Sequence, residues 1–102
     1  MATSTTGEQR TENHEVCERL IQRDALSLAD FELTQARENW PPFNSAHEGY
    51  AVLAEELDEL WQHIKTNQQR RDLRAMRKEA IQVAAMALRF AIEVCNDERG
   101  RK

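Results

Sequence analysis

The chemistry most readable in this chain lies in an acidic run, Glu55-Glu56-Leu57-Asp58-Glu59. On a helix, residues three or four apart project from one side, so Glu56/Glu59 and Glu55/Glu59 can each converge on one point. That geometry suits a hard cation. Acidic pairs are also common on solvated helix faces, and the spacing by itself does not decide between the two. Glu79 changes the balance. Projected at roughly 100° per residue, it falls within about 40° of Val83, Met86 and Phe90, near the centre of an apolar stripe.

An ionised carboxylate without a partner in an apolar interface costs roughly several kcal/mol or takes up a proton, so Glu79 requires a cation or a donor. If the helices carrying the two acidic motifs form an antiparallel hairpin, the Glu55 to Glu59 run lies near Glu79, and three or four carboxylates surround Mg²⁺. The competing reading pairs Glu79 with an arginine across the interface. Lys78, Gln82 and Arg89 share one flank of the same helix, where they contact phosphates or face water. Asp72 stands close to the helix start and is read as serving the positive end of the helix dipole.

Other chemistries find no support. His47-Glu48 opens like a zinc-protease HExxH motif, but position 51 is alanine. None of His14, His47 and His63 follows a glutamate at the spacing of a di-iron carboxylate helix. Gly7, Gly49 and Gly100 are too scattered for a phosphate-cradling loop. Cys17 and Cys95 form no Cys-x-x-Cys pair and are read as free thiols in a reducing cytosol. Trp40, Phe43, Tyr50 and Trp61 could stack on a nucleobase, although such residues more often serve a core or an interface.

The elements that must position these groups are helices. After a polar opening, Ala, Leu, Glu, Gln and Arg dominate, and β-branched residues are few. A first helical region is expected from about Glu15 to Glu38, with uneven periodicity around Arg23 to Ser27 that suggests two shorter helices. Trp40-Pro41-Pro42-Phe43-Asn44 stops it, since each proline lacks a backbone donor and disfavours helical geometry before it. Ser45 and Glu48 have capping-box spacing and start a second helix, expected to reach about Lys65 with Leu53, Leu57, Leu60, Trp61 and Ile64 buried. A third helix is expected from about Gln69 to Cys95, with Leu73, Met76, Val83, Met86, Phe90 and Val94 on one face. The short Thr66-Asn67-Gln68 link makes the last two helices an antiparallel hairpin.

The expected organisation is an all-α antiparallel helical bundle: a disordered polar tail over residues 1–14, one helical domain over 15–96 and a charged tail over 97–102. A chain of 102 residues, 40% hydrophobic and 31% charged, buries a modest core, so a homo-oligomer is a reasonable expectation. The formal charge of -4 argues against long nucleic acids as partners. The opening residues contain no apolar signal-like stretch, and the most apolar segment, Ile81 to Val94, is interrupted by Gln82, Arg89 and Glu93. A cytoplasmic protein without a membrane partner is expected.

The run EExxE at Glu55 to Glu59, followed after nineteen residues by Glu79-Ala80-Ile81-Gln82, is similar to the EExxE and ExxD motif pair of the MazG-like all-alpha nucleotide pyrophosphohydrolases. The resemblance spans Asn44 to Phe90 and includes His47-Glu48-Gly49-Tyr50-Ala51-Val52-Leu53-Ala54. It implies Mg²⁺, with Mn²⁺ as a possible substitute, held by Glu56, Glu59, Glu79 and Gln82, and Glu55 as the group that orients or deprotonates water. Lys78 and Arg89 then contact substrate phosphates. The implied reaction is hydrolysis of a ribo- or deoxynucleoside triphosphate to a monophosphate and pyrophosphate, in a homodimer or homotetramer. Gln82 departs from the pattern: its amide oxygen can ligate a cation, but the missing charge weakens the hold. A catalytically inactive helical interaction module of the same fold is the alternative from a different class.

Overall fold

The computed structural model describes residues 7–66 and 68–96. Residues 1–6 of the polar tail expected over 1–14, the charged tail expected over 97–102, and Asn67 of the link lie outside them. Among the described residues there are three α-helices, α1 (Gly7–Asn39), α2 (Ala46–Ile64) and α3 (Leu73–Glu93), with a short 3₁₀ turn at Gln68–Arg70 and no strand. None of these helices is long and apolar enough to cross a membrane.

α1 is one unbroken helix of 33 residues, and it begins well before the expected Glu15. The segment Glu8 to Glu15 contains no proline, and its Glu, Gln and Arg residues favour helix, so a helix anchored further along propagates through it. The uneven periodicity has a different cause from a break. Ala25, Ala29, Leu33 and Ala36 turn inward, whereas Val16, Leu20, Ile21, Leu28 and Phe31 remain exposed on a second face. Two apolar faces on one helix blur its periodicity. The last helical bond runs from the Trp40 N–H to the Ala36 carbonyl at 2.9 Å, and Pro41 ends the series.

Ser45 caps α2, accepting the Glu48 N–H at 3.1 Å. The carboxylate half of the capping box is displaced by one residue: Glu48 accepts the backbone N–H of Asn44 at 2.7 Å, not that of Ser45. Of the stripe expected to be buried on α2, Leu53, Leu60 and Ile64 are half-buried, but Leu57 and Trp61 are more than half exposed. α2 packs on α3, which leaves its outer flank uncovered. α3 starts later than expected because Asp72 takes the N-cap position, accepting from the N–H groups of Arg74 and Ala75. Leu73, at the very start of the helix, is exposed rather than part of the buried face, while Met86 is buried and Met76, Val83, Phe90 and Val94 are half-buried.

The contacts fix the helix directions. Gly49 lies against Phe90, while Glu56 and Glu59 lie near Glu79, so α2 and α3 run antiparallel. Arg77 meets Asp24, Gln82 meets Glu32 and Glu93 meets Arg37, so α1 runs parallel to α3. α3 is therefore the middle helix, packed on both neighbours. α1 and α2 diverge around a cleft of about 710 Å³, lined by all three helices and closed at one end by Trp40 to Asn44.

Candidate metal centre

Glu56 and Glu59 stand one turn apart on α2, and Glu79 reaches them from α3; one carboxylate oxygen from each lies within 4.8 Å of the others. The hairpin thus brings together three of the four ligands expected from the sequence. Glu56 and Glu79 are half-buried and Glu59 is exposed. Loss of hydration on burial raises the pKa of Glu56, and the neighbouring charges of Glu59 and Glu79 push it further. Burial also raises Glu79, with Glu59 adding to the effect; His63 and Lys78 nearby act in the opposite direction. His63 is half-buried beside this cluster.

The donor set suits a hard cation. Carboxylate oxygens are the ligands Mg²⁺ and Mn²⁺ prefer, and an octahedral ion with bonds of about 2.1 Å spans oxygens up to roughly 4.2 Å apart, close to the spacing here. Glu56, Glu59 and Glu79 could hold such an ion after small side-chain adjustments. No arginine takes the place of the ion at Glu79 among the ion pairs of the described residues.

The other expected site residues are placed differently. Glu55 is exposed and lines the cleft beside Glu56. Gln82 also lines the cleft, but its side-chain amide donates to Glu32 Oε1 at 2.7 Å. Glu32 escaped the sequence reading, because position 32 is brought to the site by α1 packing and no local spacing marks it. Lys78 is exposed in a smaller hollow of about 250 Å³ with Arg74 and Arg77.

Arg89 lines the cleft but does not face water: it is 5% exposed, and its Nε and Nη2 are engaged within the chain. Nε donates to Glu93 Oε1 at 3.0 Å, Nη2 donates to the Pro41 carbonyl at 2.7 Å, and the guanidinium lies 4.0 Å from the centre of the Phe43 ring. Glu93, 2% exposed, also accepts the Phe43 N–H at 3.0 Å and pairs with Arg37 at 3.4 Å. These contacts pin the Trp40–Phe43 segment across the end of the cleft. Phe43 is buried beneath Arg89, whereas Trp40 remains exposed on the cleft lining. A cue was present in the sequence: Arg89 and Glu93 interrupt its most apolar segment one helical turn apart, the pattern of a paired buried charge.

No family model, curated protein or solved structure matches this chain.

Proposed function

We propose that this protein is a MazG-like, Mg²⁺-dependent nucleotide pyrophosphohydrolase, cleaving nucleoside triphosphates to the monophosphate and pyrophosphate. The observation that carries this reading is the convergence of Glu56, Glu59 and Glu79 beside an open cleft of about 710 Å³. Glu56 and Glu79, clustered with Glu59 and with no ion pair to an arginine among the described residues, have raised pKa values, a cost that a bound cation reverses. The EExxE motif and its spacing to Glu79 supply the second support, through the family they resemble.

In this reading Glu56, Glu59 and Glu79 hold Mg²⁺, and Gln82 contributes at most a neutral oxygen while its amide hydrogen-bonds Glu32. The ion supplies charge neutralisation at phosphate oxygens. Glu55, exposed on the cleft wall, accepts a proton from the attacking water. Water oxygen bonds to the α-phosphorus, the bond from that phosphorus to the α–β bridging oxygen breaks, and pyrophosphate leaves with that oxygen. Lys78 approaches phosphate from the neighbouring hollow. Arg89 shapes the cleft through the Trp40–Phe43 segment instead of binding substrate.

The test is pyrophosphate release from a panel of ribo- and deoxynucleoside triphosphates with Mg²⁺ or Mn²⁺, comparing the protein with Glu79→Ala. Turnover that disappears in the variant, with helix content retained, is expected. No turnover on any nucleotide, together with no metal binding, would overturn the proposal and leave a non-catalytic helical module.

A further inference from the structure

Position 82 carries an amide where the motif pair that the chain resembles carries aspartate, and that amide is bonded to a carboxylate from another helix. Glu32 stands on the face of α1 that meets α3, three residues after buried Ala29 and next to half-buried Leu33. It is half-buried itself, and its hydrogen-bond partner among the described residues is neutral: Gln82 Nε2 donates to Glu32 Oε1 at 2.7 Å. Arg74, Arg77 and Lys78 line the same smaller hollow, yet none of them forms an ion pair with it, and Arg77 pairs with Asp24 instead.

Glu32 thus brings an unmatched charge into a helix interface, where a carboxylate costs more than a neutral group. A clamp between α1 and α3 has no need of that charge, since a glutamine at position 32 would accept the same bond through its carbonyl oxygen.

The bond also decides which way Gln82 faces. A carboxylate accepts and does not donate, so the amide nitrogen lies toward Glu32 and the amide oxygen away from it. α3 is the middle helix, and Gln82 lines the cleft between Glu32 on the α1 wall and Glu55 and Glu56 on the α2 wall. Gln82 is three residues beyond Glu79, so the two project from one side of α3. Anchoring its nitrogen to α1 leaves its oxygen for the side of the cleft where the other carboxylates converge.

We infer that Glu32 is a positioning residue of the metal centre: it holds the Gln82 amide with its oxygen toward Glu56 and Glu79, and it supplies from α1 the negative charge that position 82 lacks. This rests on the metal-binding reading of the same site and adds to it a residue that no motif marks. Together with Glu56, Glu59 and Glu79, Glu32 brings the carboxylates around the centre to four, as many as the resembled motif pair places there directly. Outer partners of this kind orient a ligand and tune its hold on the ion.

Mn²⁺ binding to the full chain, followed by electron paramagnetic resonance with Mg²⁺ as competitor, tests the role. Glu32→Gln and Glu32→Ala should each weaken binding about 10–100-fold. The exchanged pair E32Q/Q82E keeps one amide and one carboxylate across the same gap but moves the charge to α3, and it should bind Mn²⁺ at least as tightly as the wild type. A bond that merely clamps two helices would change melts in EDTA and leave Mn²⁺ affinity alone. NMR of glutamine-labelled protein gives a direct readout: Mg²⁺ should shift the Gln82 side-chain carbonyl carbon in the wild type and shift it less in Glu32→Ala.

If both Glu32 variants bind Mn²⁺ as the wild type does while Glu79→Gln does not, the inference is overturned and the metal site stands. If the wild type binds neither ion, the metal site itself fails and the role of Glu32 falls with it. Should Glu32→Ala lose its helix content, Glu32→Gln and the exchanged pair decide: weakened binding that the exchange restores supports the role, and weakened binding that it does not restore overturns it.

Discussion

Replacing Glu79 by glutamine removes one negative charge from the cluster while nearly keeping its shape. The carboxylate oxygens of Glu56, Glu59 and Glu79 lie within 4.8 Å of one another. Two unit charges at that distance repel by about 1 kcal/mol in water and by about 3.5 kcal/mol at an effective dielectric constant of 20. Glu59 is exposed and the other two are half-buried, so the water-like value governs. Glu79 takes part in two of the repelling pairs, and salt screens both. Without metal and at neutral pH, Glu79→Gln should therefore be more stable by about 1–2 kcal/mol, or roughly 4–15 °C in Tm for a domain of this size.

The pH dependence carries a sign of its own. Glu56 and Glu79 have pKa values raised in the folded chain, so the folded state binds protons more tightly than the unfolded one. Metal-free stability should fall as pH rises from the ordinary glutamate value of about 4.3 through the raised values, and be level above them. The variant should show a shallower fall. Mg²⁺ reverses the ranking: at 100 times its dissociation constant a ligand adds about 2.7 kcal/mol, which the wild type should gain and the variant should largely lose. Urea melts followed by circular dichroism, at one protein concentration, with EDTA or with MgCl₂, measure all of this. A variant that is less stable than wild type in EDTA throughout the pH range refutes the reasoning, for Glu79 would then be held by His63 and Lys78 and not repelled by its neighbours.

Three other substitutions probe the surroundings. Glu93→Ala strands the buried Arg89 guanidinium and the Phe43 N–H, and urea melts should show a loss of about 3–5 kcal/mol; hydrogen exchange at Phe43 should accelerate. Gly49→Ala places a methyl group 2.6 Å from Phe90 Cδ2 and 3.1 Å from Phe43 Cδ2. Overpacking of about 1–3 kcal/mol then opposes a helix-propensity gain of about 1 kcal/mol, so a thermal melt should show net destabilisation. Gln82→Glu replaces the amide that donates to Glu32 at 2.7 Å with a second carboxylate. Metal-free stability should fall by about 1.5–3 kcal/mol, and stabilisation by Mg²⁺ should grow, in the same melts.

What could be read from the sequence was what depends on neighbours along one helix. The Pro41-Pro42 break, the Ser45 cap and the shared face of Glu56 and Glu59 follow from spacing, and all three are present. Glu79 could be placed because a single carboxylate in an apolar stripe stands out wherever the partner helix lies. Arg89 could not be placed in the same way, since its burial depends on Pro41 and Phe43, which fold back from a distant part of the chain. The Gln82–Glu32 bond is equally long-range. The start of the first helix, expected near Glu15, was missed for another reason. Propensity continues a helix through Gly7 to Glu15 without any apolar stripe to announce it.

The contact at Gly49 gives α2 a fulcrum. With no side chain there, α2 settles against the Phe90 and Phe43 rings, and the two helices are pinched together at that level. Along α2, at 1.5 Å per residue, Glu56 lies about 10 Å and Glu59 about 15 Å from the pinch. α2 is thus a lever whose load is its own carboxylates, and a tilt of about 4° at the fulcrum moves Glu59 by about 1 Å. The gap that Glu59 and Glu56 leave to Glu79 is accordingly set at a distance, by how closely one bare backbone position can approach an aromatic ring. An ion as demanding of its radius as Mg²⁺ would feel a change there without touching it.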